Sequence, residues 1–549
     1  MLSLAAIAAQ GSDGLWAHLA RHVLPVALRD TLVLLAGVGI LVAAIGTLTA
    51  WLVAACDFPG RRLFEWALLL PLAVPTYVVA YAYLDLLHPV GPVQSALRGW
   101  LGIASPRGLR LPDIRSMGGC VLLLGLVLYP YVYLPARAVF AMQAGDLLDA
   151  ARTLGRGPVA AFVRVALPLA RPAVAAGTAL ALMEASNDIG AAEFLGVRTL
   201  TVSVYSTWIG RSDLPGAAQI ALAMLAVVLA LVALERHGRR RQRFHAGARR
   251  RHPLAPARLR GAAAACAFLA CALPVLLGFV APAAYLAAEA LERYRFAGLA
   301  PQLLRDALNT GTLATSATLA VLALAIAATA AARLRPSRLT GGALRAATHG
   351  DAMPGTVLAI GLLPVVALVD RSIATFADGV GLVLLGSGAA LVWAYSVRFL
   401  AIGTGSIEAG LAQIPPTLDH AARTLGRSEA GVLRSVHLPL ARPAIAAAGL
   451  LVFVDCAKEL PATLLLRPLN FETLATRLYG EAARGTYEDA AIAALAIVAI
   501  GILPVVLLAR TGRIGPTSPG GGLTAPSPPV PSPPRRSSPA RSRIGAAAP

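Results

Sequence analysis

Apolar and polar stretches alternate along this chain on the scale of a bilayer. Apolar runs approaching the ~20 residues that cross a hydrocarbon core as helix recur near 31–55, 64–87, 118–142, 171–194 and 215–234. A second series follows near 261–289, 309–333, 351–370, 378–401, 443–466 and 488–509. The pattern predicts an all-α fold, a polytopic membrane helix bundle of about eleven or twelve spans.

The polar breaks orient it. The segment "ERHGRRRQRFHAGARRRHPLAPARLR" (235–260) is the strongest basic cluster, and arginine concentrates in cytoplasmic loops. Counting spans outward puts Arg61 and Arg62, the polar segment after 142, "RLRPSRLTGGALR" (333–345), the polar segment near 420, and Arg535 and Arg536 on that same side. The expected division is a first repeat over 1–234, a basic cytoplasmic linker over 235–260, a second repeat over 261–511, and a Pro/Ser/Arg tail over 512–549. The tail has too little apolar surface to fold.

Composition removes the soluble alternatives. The chain of 549 residues is 57% hydrophobic and 14% charged, where a soluble domain carries about 25% charged residues. The net charge of +20 is mostly accounted for by the loop arginines, so it is a topology signal and nucleic acid is not an expected partner. The five cysteines, Cys56, Cys120, Cys266, Cys271 and Cys456, lie in or beside apolar runs without metal-ligand spacing and read as small hydrophobes. Lys458 is the only lysine. A P-loop needs a lysine after its glycines, so this chain has no P-loop; if ATP is used, another polypeptide binds it.

One cassette occurs twice. "AARTLGR" stands at 150–156 and 421–427, and "LPLARPA" at 167–173 and 438–444; both pairs are 271 residues apart (421 − 150 and 438 − 167). Repeats in one direction are related by an axis along the membrane normal. Each cassette has small residues that allow close approach, a glycine able to end a helix, and a Leu-Pro pair expected just before the next membrane helix. The physical picture is a short helix lying across the cytoplasmic face. It either offers a knob to a partner or anchors the bundle to lipid, and two copies favour a two-fold partner. A shorter echo, "LRD" at 28–30 and 304–306, precedes a span in each half. The second copy follows a full apolar run and the first does not, so the first repeat is expected to lack its opening helix.

The pattern Asp149-Ala150-Ala151-x-x-x-Gly155, followed by Leu167-Pro168, resembles the EAA loop of ABC importer permeases. The second copy, His420-Ala421-Ala422-x-x-x-Gly426 with Leu438-Pro439, has histidine where the acid is expected and Asp419 one position earlier. The resemblance implies two repeats of the type I importer permease fold, two loops docked on an ABC ATPase dimer, ATP and Mg on that partner, and a periplasmic substrate-binding protein. It also implies the bacterial inner membrane and no catalytic residue here. "KELPATLLLRPLNFETLATRLY" (458–479), with "GAAEFLGVRTLTVSVYSTW" (190–208) as its counterpart, is most similar to the fused permeases of ferric iron importers. Fused permeases for thiamine and related solutes look similar. A secondary transporter that uses membrane acids for proton coupling is the rival from another class.

Charges recur inside the predicted spans. Glu184 and Asp188 fall 271 residues before Asp455 and Glu459, and each pair is four apart, on one face of a continuous helix. Ionised groups at mid-bilayer cost at least ~2.5–3.5 kcal/mol and normally face the bundle interior. Glu184, Asp188, Asp455, Lys458 and Glu459 are therefore candidates for a cation path, with hard oxygen ligands suited to a hard ion. The plainer alternative has Lys458 neutralising Glu459, and Glu193 near a helix end. Tyr129, Tyr131 and Tyr133 are either oxygen ligands or an interfacial aromatic belt. No metal site is firmly predicted.

Overall fold

The computed structural model describes residues 2–12, 14–103, 105–142, 157–240, 256–347, 353–376, 384–385 and 387–511. Among them, eight helices are long and apolar enough to cross a membrane, ten if two bent pairs each count once, and Ala490–Leu503 is a shorter apolar helix. These overlap the eleven predicted runs. Two-residue strands, Cys56–Asp57 and Ala257–Arg258, pair in parallel and form the only sheet among the described residues.

The first half contains α1 (Leu2–Ala8), α2 (Leu24–Ala55), α3 (Thr76–Leu86), α4 (Met117–Leu128), α5 (Pro130–Met142), α6 (Leu167–Asn187), α7 (Gly190–Phe194), α8 (Leu200–Tyr205) and α9 (Leu214–Arg240). The second contains α10 (Ala262–Val275), α11 (Ala281–Ala297), α12 (Pro301–Leu334), α13 (Gly355–Phe376), α14 (Ala389–Ala412), α15 (Pro416–Thr424), α16 (Leu438–Ala457), α17 (Pro461–Leu466), α18 (Leu474–Arg484) and α19 (Tyr487–Thr511).

The halves repeat one packing scheme. α2, α5 and α6 pack mutually, as α12, α14 and α16 do; α7 rests on α3 as α17 rests on α13; α8 lies on α9 as α18 lies on α19. Two equivalent hydroxyls inside the bundle are satisfied by the chain itself, as a bilayer favours. Thr31 donates to the Ala27 carbonyl (2.7 Å) and accepts from the Leu200 amide (2.9 Å). Thr310 does the same with Asp306 (2.7 Å) and Leu474 (2.9 Å). This equivalence aligns Thr31 with Thr310, a displacement of 279 by the two residue numbers. The "LRD" echo, displaced by 276 (304 − 28), is out of register by three residues and does not mark equivalent positions. α1 packs on α9 and α13 much as α11 packs on α19 and α3. A short helix therefore stands where the opening helix of the first repeat was expected to be missing.

Several predicted spans are reshaped. The run 64–87 is broken by 89° between Arg61–Ala73 and α3, and 118–142 bends by 43° between α4 and α5. Pro75 and Pro130 stand at these breaks, where proline removes a backbone donor and clashes with the preceding turn. The run 378–401 contributes α14 from Ala389 onward; 377–383 lie outside the described residues. The Leu-Pro pairs do not precede a helix start. The helices run through them, over Phe162–Asn187 and Glu429–Ala457. A π-turn, Phe162–Ala166 or Leu433–His437, sits directly upstream of each pair. The wider turn accommodates the missing N–H and ring of Pro168 or Pro439 without ending the helix.

Candidate functional site

Of the first cassette, Asp149, Ala150, Ala151 and Gly155 lie outside the described residues, while Leu167 and Pro168 carry the helix on from the π-turn into α6. The second cassette is described throughout. α15 ends in a Schellman cap: Gly426 is left-handed (φ 77°), its N–H donates to the Arg423 carbonyl (2.9 Å), and the Arg427 N–H donates to that of Ala422 (3.0 Å). Asp419 and Ala422 are buried. His420 and Ala421 are exposed, and Leu418 and Leu425 leave an apolar edge on the outer side, Leu425 82% exposed. Asp419 points inward. It accepts from Arg333 Nε (3.0 Å) and lies 2.8 Å from His437 Nε2. Burial alone would raise the Asp419 carboxyl, but the hydrogen bonds and charges of Arg333 and His437 outweigh it and hold it below the usual range.

The charged residues of both halves meet at one cavity. Its lining includes Thr76, Tyr77, Tyr131, Glu184, Asn187, Asp188, Arg398, Asp455, Lys458 and Glu459. The paired acids do not share one helix face. α6 ends at Asn187 and α16 at Ala457, so Asp188 and Glu459 lie beyond the helix ends and cap the short helices that follow. Ala191 N–H donates to Asp188 Oδ1 (2.7 Å). Ala462 and Thr463 N–H donate to Glu459 Oε1 (2.8 Å) and Oε2 (3.0 Å). The first N–H groups of a helix need acceptors, and in a bilayer no water supplies them.

The counter-charges differ from those expected. Lys458 binds Asp455 (2.7 Å), not Glu459. Glu459 is held by Arg398 Nη1 (2.7 Å), with side-chain exposures of 10% for Arg398 and 1% for Glu459. Asp188 accepts from the Thr76 hydroxyl. Glu184 makes no hydrogen bond or ion pair with a described residue; its opposite charges are Arg398 and Lys458 of the other half. The halves are tied reciprocally: Gly355 N–H donates to Asn187 Oδ1 (2.7 Å), and Tyr77 OH donates to the Lys458 carbonyl (3.3 Å). Asn187 and Lys458 are themselves 271 apart (458 − 187). Gly355 fits because a Cβ there would lie 2.4 Å from Arg398 Nη1 and 3.0 Å from Glu459 Oε1.

The other candidates are placed elsewhere. Glu193 accepts from the Tyr479 hydroxyl of the second half. Tyr129 and Tyr133 are fully buried, and Tyr133 OH donates to the Glu65 carbonyl (3.1 Å), so neither forms an interfacial belt. Tyr131 lines the cavity. No group of three or more His, Cys, Asp or Glu among the described residues could hold a metal ion. Arg398, Thr76 and Asn187 were not singled out from the sequence. An arginine inside the apolar run 378–401 was itself a signal of an interior partner; Thr76 and Asn187 carried none.

The family described as the binding-protein-dependent transport system inner membrane component matches residues 45–244 and 323–511. The chain belongs to this family. It is a transport permease with the family domain present twice, in an all-α membrane bundle. The chain is 25% identical to the Fe(3+)-transport system permease protein FbpB 2 of Haemophilus influenzae over 489 residues, 88% of this chain and 89% of that protein. It is 32% identical to the molybdenum transport system permease protein ModB of Escherichia coli K12 over 209 residues, 35% of this chain and 88% of that protein.

Proposed function

We propose that this chain is the membrane-spanning permease of an ATP-driven importer of ferric iron in a bacterial inner membrane. It would receive its cargo from a periplasmic binding protein and be driven by a separate ABC ATPase dimer that holds ATP and Mg. The observation that carries the substrate is the likeness to an Fe(3+) permease across nearly the full length of both chains. The molybdenum permease is matched over about a third of this one.

Charge at the cavity favours the same class. Four carboxylates, Glu184, Asp188, Asp455 and Glu459, face two cations, Arg398 and Lys458. With all of them ionised the net charge is −2, which attracts a cation and repels an oxyanion such as molybdate. The cavity volume of about 120 Å³ suits a small ion with a few waters.

In this reading α15 and the first cassette, through Asp149, Ala150, Ala151 and Gly155, each dock on one ATPase subunit. Leu418, Ala421 and Leu425 form the knob, and closing of the ATPases alternates the cavity between the two faces. The test is uptake of radiolabelled ferric iron by cells expressing this chain with its ATPase and binding protein, with thiamine in parallel and an ATPase-dead partner as control. ATP-dependent iron uptake is expected. Thiamine uptake alone would overturn the substrate, and uptake indifferent to the dead ATPase would overturn the importer.

A further inference from the structure

At the end of the second half that carries α15, three residues lock four segments together. Arg333, on the last turn of α12, donates through Nε to Asp419 Oδ2 (3.0 Å) and through Nη2 to the Ile414 carbonyl (2.8 Å). Its Nη1 also donates to the Leu411 carbonyl in the last turn of α14. Asp419 Oδ1 takes the other side, against His437 Nε2 (2.8 Å). His437 is fully buried and lies in the π-turn that leads into α16. Asp419 is ionised beside a cation, so Nε2 carries the proton and donates; Nδ1 has no partner among the described residues.

Both oxygens of Asp419 are thus occupied from within the chain. Asp419 does not face outward from α15, whose outer side is left to Leu418, Ala421 and Leu425. What Asp419 does is clamp α15 to the feet of α12, α14 and α16. The far parts of two of these helices reach the cavity: α14 carries Arg398, and α16 carries Asp455 and runs into Lys458 and Glu459. An α-helix is a stiff rod with about 1.5 Å rise per residue, so displacement at one end is delivered to the other. The first half does not repeat the clamp in its sequence: a displacement of 271 places Ala166 opposite His437 and Leu148 opposite Asp419.

We propose that Arg333, Asp419 and His437 are positioning residues that make α15, α12, α14 and α16 one mechanical unit, so that motion of α15 is converted into motion of Arg398 and Glu459 at the cavity. This rests on the reading that α15 docks on an ATPase.

The experiment reconstitutes this chain with its ATPase and binding protein in liposomes. It measures ferric iron taken up per ATP hydrolysed, together with co-purification of the ATPase. Asp419→Asn and His437→Leu are expected to retain the ATPase and to lower iron per ATP at least fivefold. His437→Gln, which restores an N–H donor near Nε2, is expected to recover the ratio to within twofold of the original. A defect of folding alone lowers hydrolysis and uptake in proportion and leaves the ratio unmoved. If Asp419→Asn does not accumulate, the two His437 variants read the same ratio with the Arg333–Asp419 pair intact. An unchanged ratio in His437→Leu, or failure of His437→Gln to rescue, overturns the clamp. A wild-type chain that neither captures the ATPase nor depends on it overturns the docking reading beneath it.

Discussion

Arg398 and Glu459 form a buried ion pair, 2.7 Å apart, at the cavity where the two halves meet. Glu459 uses its second oxygen to cap α17, so the pair fixes the break between α16 and α17 as well as the charge. Removing one member of a buried pair leaves the other uncompensated, at a cost of about 3–5 kcal/mol. Arg398→Ala is therefore expected to lower the thermal midpoint of the purified protein by several degrees, and Arg398→Ala with Glu459→Gln to lower it less. Thermal unfolding in detergent decides this; a double variant worse than the single would contradict it.

Among the described residues Glu184 is held by no hydrogen bond or ion pair, unlike its repeat counterpart Asp455, which has Lys458. Glu184→Gln is expected to leave the thermal midpoint unchanged or slightly raised, because a half-buried charge is removed without breaking a hydrogen bond or ion pair to a described residue. Iron uptake is expected to fall about tenfold, which corresponds to about 1.4 kcal/mol. Uptake kinetics beside a melting curve separate the two effects. Full uptake would remove Glu184 from the path.

Leu425 and Gly426 form the tip of α15. Leu425→Asp places a charge on the proposed docking knob without touching the Arg333–Asp419–His437 clamp. Capture of the ATPase on an affinity column is expected to fall at least tenfold, with the amount of chain in the membrane unaltered. Gly426→Val adds backbone strain at a left-handed position, of about 1–2 kcal/mol, and is expected to weaken capture less. Equal capture by Leu425→Asp and the original chain would argue against the knob.

Asp419 gives a pH dependence of known sign. Its carboxyl is lower in the folded chain than the ordinary value of 3.8. Its contribution to stability is therefore complete above that ordinary value and is lost as pH falls through the lowered folded value. The difference in thermal midpoint between the original chain and Asp419→Asn is expected to be constant near neutrality and to shrink at strongly acid pH. Melting curves across that range test it, and a difference that grows on acidification would reverse the sign.

The sequence by itself determined the architecture. Apolar run length is set by bilayer thickness, so eleven segments could be located before any contact was known. The offset of 271 marked two repeats, and the family domain is matched twice along the chain. The glycine of the second cassette could be read as a helix end, and Gly426 is one. The tertiary structure decided which charge meets which. Lys458 is next to Glu459 in the chain, yet a helix break turns Glu459 toward α17 and toward Arg398, 61 residues upstream by number (459 − 398). Period-3.6 reasoning fails at such a break because it assumes one continuous helix. Asp419 likewise occupied a position from which a partner contact was expected. Only the packing of α12, α14 and the π-turn against α15 turns it inward, onto Arg333 and His437. These residues lie 86 residues upstream and 18 downstream, and no local pattern brings them together.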